Sequence, residues 1–289
     1  MKRFAIISFI MILLSVNVFA TKRALVIGLG RQQDSSWSKI HGDNDVVYVQ
    51  KMLKSCGYSS GNTMTIVNEK ATKRGLMESF KKLAEQCKSG DIVYIHFSGH
   101  GQQVVDKNKV KRESWIPYDA CKENCANDKG EKHLIDYEIN ELLKKINNKI
   151  GNGGKLLVVV DACCSANSVR GDDEGNDEDD VACRGTDDEF MVTSFELPKQ
   201  ELKAPWITLS ACQSYEKAWE IQGLKVGKLT YALYSVIVEA KKKGITCDKF
   251  VKLFEKYQED WLKTNKIGKR QKPEGEKNEC NYDINAVLK

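Results

Sequence analysis

The stretch Ile92-Val93-Tyr94-Ile95-His96-Phe97 runs straight into Ser98-Gly99-His100-Gly101, and Leu156-Leu157-Val158-Val159-Val160 runs straight into Asp161-Ala162-Cys163-Cys164-Ser165. Both runs are short, rich in β-branched residues and without regular polar alternation, the pattern of strands covered on two faces. Three similar runs, Ala24–Gly28, Met64–Val67 and Trp206–Leu209, lie on either side. Between them helical spacing recurs over Asp45–Lys54, Thr72–Cys87, Asp136–Asn147, Leu229–Lys242 and Lys249–Lys263. Strands alternating with helices predict an α/β fold with a mainly parallel central sheet flanked by helices. In such a sheet the residues just past the carboxyl ends of the strands line the functional crevice. A His and a Cys at two such ends are candidates for a general acid/base and a thiolate nucleophile. The glycines flanking His100 let a backbone approach closely and leave N–H groups for a developing oxyanion. Either residue alone reads as a buried side chain beside a turn; the pair at matching strand ends reads as catalysis.

The 289 residues are 41% hydrophobic with a formal charge of +5, enough apolar material for a real core and too little net charge for a disordered chain. Lys2-Arg3, the apolar run Phe4–Phe19 and the ending Val18-Phe19-Ala20 follow the grammar of a secretory signal peptide cut after Ala20. The run is short for a membrane span, so a secreted or periplasmic protein is expected, with an uncleaved anchor as the alternative. Asp172–Glu189 holds ten acids against Arg184 alone, and Asn167–Lys203 as a whole reads as an exposed, mobile loop. Lysines and arginines are scattered rather than striped with aromatics, which argues against nucleic-acid binding. Ten cysteines suit an oxidising compartment, but their pairing cannot be read from sequence. Cys121-x3-Cys125 near His133 fits no zinc spacing and reads as a local loop pair or free thiols. Gly28-Leu29-Gly30 lacks the third glycine of a dinucleotide loop, with Gln33 in its place, and reads as a turn.

His96-Phe97-Ser98-Gly99-His100-Gly101 matches a H-[YF]-S-G-H-G motif, and Asp161-Ala162-Cys163-Cys164-Ser165-Ala166 matches D-x-C-H-S-G except at Cys164 and Ala166. Arg23–Gly28, Asn44-Asp45-Val46, Trp115–Asp119, Leu209–Gln213 and Gly227–Leu233 follow the same pattern in the same order. On these motifs, spanning about residues 22–240, the sequence resembles the caspase family and within it the metacaspases. The resemblance implies a caspase-like domain over 21–289: a larger part of about 22–170, the acidic loop of about 167–203, and a smaller part of about 204–289 that completes the sheet and the pocket. It implies Cys163 as nucleophile, His100 as its acid/base partner, and the N–H groups of Gly101 and Cys163 as the oxyanion donors. It also implies a primary pocket built from Asp45, Ser98 and Asp161 that receives Arg or Lys, since paired carboxylates suit a guanidinium.

Many metacaspases need calcium. Here Arg112 stands for one expected acid and Asp136-Tyr137 for two, a poor set for an ion that prefers six or more oxygens, so no cofactor is expected. The Asp172–Asp180 run reads as solvated rather than as a calcium site. The expectation is therefore an exported, monomeric cysteine endopeptidase acting on proteins with basic residues and processing itself in the acidic loop after Arg170, Arg184, Lys199 or Lys203. Its rivals are a catalytically silent binding protein on the same fold and a peptidase preferring Asp or Asn.

Overall fold

The strand runs and the helical runs take their places in chain order in a computed structural model. It describes residues 20–163 and 182–289, apart from 200, 201, 203, 214, 215, 222, 243, 265–268 and 279. The first half carries β1 (Lys22–Gly28), α1 (Gly42–Ser55), β2 (Thr63–Val67), α2 (Lys73–Gln86) and β3 (Ile92–Ser98). Then come β4 (Gly101–Asp106), β5 (Lys111–Trp115), β6 (Leu134–Ile135), α3 (Asp136–Ile150) and β7 (Lys155–Asp161). The remainder holds β8 (Phe190–Val192), β9 (Ile207–Ser210), β10 (Glu220–Ile221), β11 (Val226–Gly227), α4 (Lys228–Tyr234), α5 (Cys247–Lys263) and β12 (Glu274–Glu276).

The main sheet has the order β12-β9-β7-β3-β1-β2, parallel throughout except where β12 joins β9. Every residue of β3 is buried, as a central strand covered on both faces requires. The period of two sorts β1 between two cores. Ala24 and Val26 face the layer holding Val46, Leu229 and Phe250, whereas Leu25 and Ile27 face Leu76, Phe80, Ile139 and Leu142. Helices α1, α4 and α5 thus cover one face, and α2 and α3 the other. Local sequence sets their limits. Thr72 Oγ1 accepts the Gly75 N–H at 3.1 Å at the start of α2, a cap worth about 1 kcal/mol. Gly151, at φ 62°, ends α3.

A second sheet, β6-β5-β4-β8, has no counterpart in the sequence reading. It corrects one expectation. The segment 167–203 is not one exposed loop in its described part, because Phe190–Val192 pairs in parallel with β4 and Phe190 is buried. Residues 183 and 185 also make β-bridges, and Arg184 between them is fully buried. The leader and Arg170, Lys203, Cys164 and Ala166 lie outside the described residues, as does the Asp172–Asp180 run. Among the described residues no helix is long and apolar enough to cross a membrane.

Candidate active site

Strands β1, β3 and β7 end level with one another, Gly28 opposite Ser98 and Ser98 opposite Asp161. His100 and Cys163 each lie two residues beyond these ends. The His100 ring is buried and stacks on Trp37 with centroids 4.8 Å apart. Its Nε2–H donates to the Ser38 carbonyl at 2.8 Å, which fixes the tautomer and leaves Nδ1 as a buried basic nitrogen without a hydrogen-bond partner. Burial pushes the His100 pKa down to about 4, so the ring is neutral. Cys163 is also buried; its Sγ receives the Ala218 N–H at 3.0 Å and lies 3.6 Å from Cys183 Sγ. Burial pushes this thiol far up, so it holds its proton in the closed site. The two predicted catalytic residues therefore share one crevice, but no hydrogen bond closes between them.

A segment of the chain itself fills that crevice. The Arg184 N–H donates to Ala218 O at 3.0 Å and the Glu220 N–H to Ala182 O at 3.2 Å, so Ala182–Arg184 lies antiparallel to residues 218–220. The Arg184 carbonyl accepts from Cys163 N at 2.9 Å and from Gly101 N at 3.1 Å. These are the two N–H groups expected to hold an oxyanion. Gly185 follows against the nucleophile, where an added Cβ would come within 2.5 Å of Cys163 Cβ and 2.8 Å of Gly101 O. Gly101 is equally constrained, since a Cβ there would meet Cys163 O at 1.7 Å.

The Arg184 side chain enters the predicted pocket. Its Nη1 donates to Asp45 Oδ2 at 2.6 Å, to Ser98 Oγ at 2.9 Å and to Asp161 O at 3.2 Å, and lies 3.6 Å from Asp161 Oδ1. Its Nη2 donates to Glu220 Oε1 at 2.9 Å. Behind these groups Ser98 Oγ donates to Asp45, Gly227 N to Asp45 Oδ1 at 3.0 Å, and both the N–H and the hydroxyl of Thr230 to Asp161 Oδ2. Gly227 leaves the space for the guanidinium, since a Cβ there would lie 2.2 Å from Asp161 Oδ2 and 2.6 Å from Arg184 Cζ. Burial, together with Asp45 and against the pull of Arg184, raises the Asp161 pKa to about 6. Burial alone would lower the Arg184 pKa, but Asp45, Asp161 and Glu220 hold it well above its ordinary value. Take the guanidinium away and three carboxylates remain buried without that counter-ion. Leaving them so is costly, and a cation in this place lowers that cost where an anion would add to it.

The Caspase domain family, Peptidase_C14, matches residues 21–281. The chain belongs to that family. Relatives of the caspase-domain chain include Metacaspase-1 of Plasmodium falciparum, 30% identical over 162 residues, which are 51% of this chain and 24% of that protein. Metacaspase-3 of Arabidopsis thaliana is 28% identical over 158 residues, 51% of this chain and 40% of the relative. The chain thus spans less than half the length of these curated relatives. Among solved structures, a Geobacter sulfurreducens protein has a TM-score of 0.65 at 20% identity, covering 93% of this chain and 97% of its own. Caspase-1 of Spodoptera frugiperda has a TM-score of 0.56 at 11% identity, covering 89% and 86%. The fold of this caspase domain is therefore the caspase-like one expected.

One group of the caspase-domain site has no counterpart in the sequence motifs, and a second is only partly legible there. Glu220 forms the far wall of the pocket, its carboxylate held by the His41 N–H at 2.7 Å and by His41 Nδ1 at 2.6 Å. No motif marked it, because its two-residue strand is too short to show a pattern. Arg184 stands in the sequence as one of four expected self-cleavage points, but nothing local to it says that its side chain meets Asp45 and Glu220. The residues in the place of the family's calcium site do not suit calcium. The Arg112 guanidinium is 3.5 Å from Asp136 Oδ2, and its Nε and Nη2 donate to Pro198 O, so a fixed cation already sits beside the remaining acid. Among the described residues no group of three or more His, Cys, Asp or Glu is arranged to hold a metal ion. Cys121 and Cys125 form a disulfide, and His133 Nε2 pairs with Gln102 Oε1 at 3.0 Å.

Proposed function

We propose that this chain is an exported cysteine endopeptidase that cuts after Arg, with Lys as the lesser substrate, and that its first substrate is its own Arg184–Gly185 bond. One observation carries this reading. A single residue, Arg184, gives its carbonyl to the Gly101 and Cys163 N–H pair while its guanidinium fills the acidic pocket. That is how a peptide lies when the bond after it is about to be cut.

The chemistry follows from the groups in place. The Cys163 thiol gives its proton to His100 Nδ1, and Sγ attacks the Arg184 carbonyl carbon. The carbonyl oxygen becomes an oxyanion between the two N–H groups, which already point at it and need no rearrangement. His100 then returns the proton to the Gly185 nitrogen as the C–N bond breaks, leaving a thioester at Arg184. Water, deprotonated by the same ring, releases the acid and regenerates the thiol. The Nε2–H bond to Ser38 holds the ring in one tautomer through both transfers. With the closed dyad in its thiol and imidazole form, self-cleavage should be slow.

Intact-mass and N-terminal analysis of purified protein tests the reading. A new N-terminus at Gly185 in wild type and its absence in Cys163→Ala are expected. A wild-type chain that hydrolyses added Arg peptides while Arg184–Gly185 stays intact would overturn the self-cleavage part. A chain that neither cleaves itself nor any peptide would favour the silent binding protein.

A further inference from the structure

The sulfur atoms of Cys163 and Cys183 are 3.6 Å apart, and both are free thiols. The contact follows from backbone geometry on both sides. Cys183 is fixed by its bridge to Trp219 and by the two hydrogen bonds on the Arg184 carbonyl, and Cys163 by the Ala218 N–H on its sulfur. Cys163 is 2% exposed, while Cys183 is the more exposed residue of the two, although Cys163 and burial hold its thiol well above its ordinary pKa. Cys212 is a second thiol close to Cys163, with its own S–H directed at Glu216 O at 3.3 Å and Ala162 O at 3.9 Å.

We propose that Cys163 and Cys183 are a redox pair: a disulfide between them locks residues 182–185 in the crevice and caps the nucleophile, and reduction arms the enzyme. The inference rests on the reading of residues 182–185 as a bound self-substrate. With a peroxide as oxidant, the Cys183 sulfur displaces water from the O–O bond and becomes a sulfenic acid. The Cys163 sulfur then attacks that sulfur and the hydroxyl leaves with the thiol proton as water, so two thiols and one peroxide give one disulfide and two waters. The bond has two consequences. It removes the attacking sulfur before Arg184–Gly185 is cut, and it tethers the Arg184 end in the pocket if cutting has already occurred. A part-exposed cysteine one residue before the cut thereby shields the buried one from higher oxidation, which would be irreversible.

The test uses the full chain treated with hydrogen peroxide, with and without later dithiothreitol. Peptide mapping without reduction should find the tryptic peptide ending at Arg184 joined to the one containing Cys163 and Cys164, with fragmentation placing the bond on Cys163. Self-cleavage should be lost with peroxide and return with dithiothreitol. In Cys183→Ser, each sample compared with its own reduced control, no loss that dithiothreitol reverses is expected. A crosslink to Cys164 or Cys212, no crosslink at all, or the same reversible loss in Cys183→Ser would overturn the proposal. Cleavage after Arg184 without any crosslink would sink this inference and leave the proposed function standing. A crosslink in a chain that never cuts after Arg184 would leave the disulfide standing and overturn both the self-substrate reading and the claim that reduction arms the enzyme.

Discussion

Glu220→Gln should reduce the preference for Arg over Lys more than it reduces activity itself. The guanidinium spans the pocket, with Nη1 2.6 Å from Asp45 and Nη2 2.9 Å from Glu220. A lysine ammonium is one point on a shorter stem, so it can satisfy the Asp45 side and leaves the Glu220 side unmet. Gln keeps the shape and a neutral acceptor but loses the charge. A hydrogen bond involving an ion contributes about 1.5–3 kcal/mol, a neutral one about 0.5–1.5, so the loss for an Arg substrate is about 1–2 kcal/mol. That corresponds to a fall of about 5–30-fold in kcat/KM for Arg peptides, with a much smaller fall for Lys peptides. The assay is initial rates on a peptide panel varied only at the residue before the cut, including Asp as a third arm. An unchanged Arg-to-Lys ratio would remove Glu220 from the pocket. Faster cleavage after Asp than after Arg would refute the cation-selecting site altogether.

Cys163→Ala should abolish hydrolysis and labelling by a thiol-directed probe, whereas Cys164→Ala keeps most of both; the opposite result would reassign the nucleophile. Asp161→Asn should lower kcat/KM for Arg and Lys peptides alike by about tenfold or more, because a buried charge partner is lost, while thermal scans show a far smaller change. Gly185→Ala should displace the self-substrate, since its Cβ would strike Cys163 and Gly101. Cleavage at 184–185 should slow, and added Arg peptides should be cut without a lag. Stability should fall as pH drops from about 6.5 to about 4, because burial lowers His96, His100 and His133 from 6.5 to about 4 and the unfolded chain binds their protons first. Asp161, raised from 3.8 to about 6, acts in the opposite sense and loses its contribution as pH rises through that window. Three histidines outweigh one carboxylate, so a thermal midpoint flat between pH 6.5 and 4 would contradict their burial as neutral rings.

Much of the framework was legible along the chain. The β-branched runs before His100 and Cys163 read as buried parallel strands, and that is where β3 and β7 lie, because a strand's two-faced burial is written in its own residues. The helices were legible for the same local reason, through spacing and caps such as Thr72. The motifs brought His100, Cys163, Gly101, Asp45, Ser98 and Asp161 forward as one set. What no local pattern held was the occupant. Arg184 lies 139 residues from Asp45 and 86 from Ser98, inside a stretch whose ten acids read as solvent-facing. Charge composition reports the average tendency of a segment to stay in water, and cannot say that one base within it meets an acidic pocket elsewhere. Glu220 and the Cys183 thiol were hidden likewise, on pieces of chain too short to carry a period, and Gly227, though part of a motif, gave no sign of the guanidinium it makes room for. Only the folded crevice, by setting residues 182–185 across residues 218–220, turned these scattered residues into a pocket wall, an opening for the guanidinium and a sulfur beside the nucleophile. Sequence periodicity determines which faces are buried; three-dimensional pairing decides which distant charges must neutralise one another there.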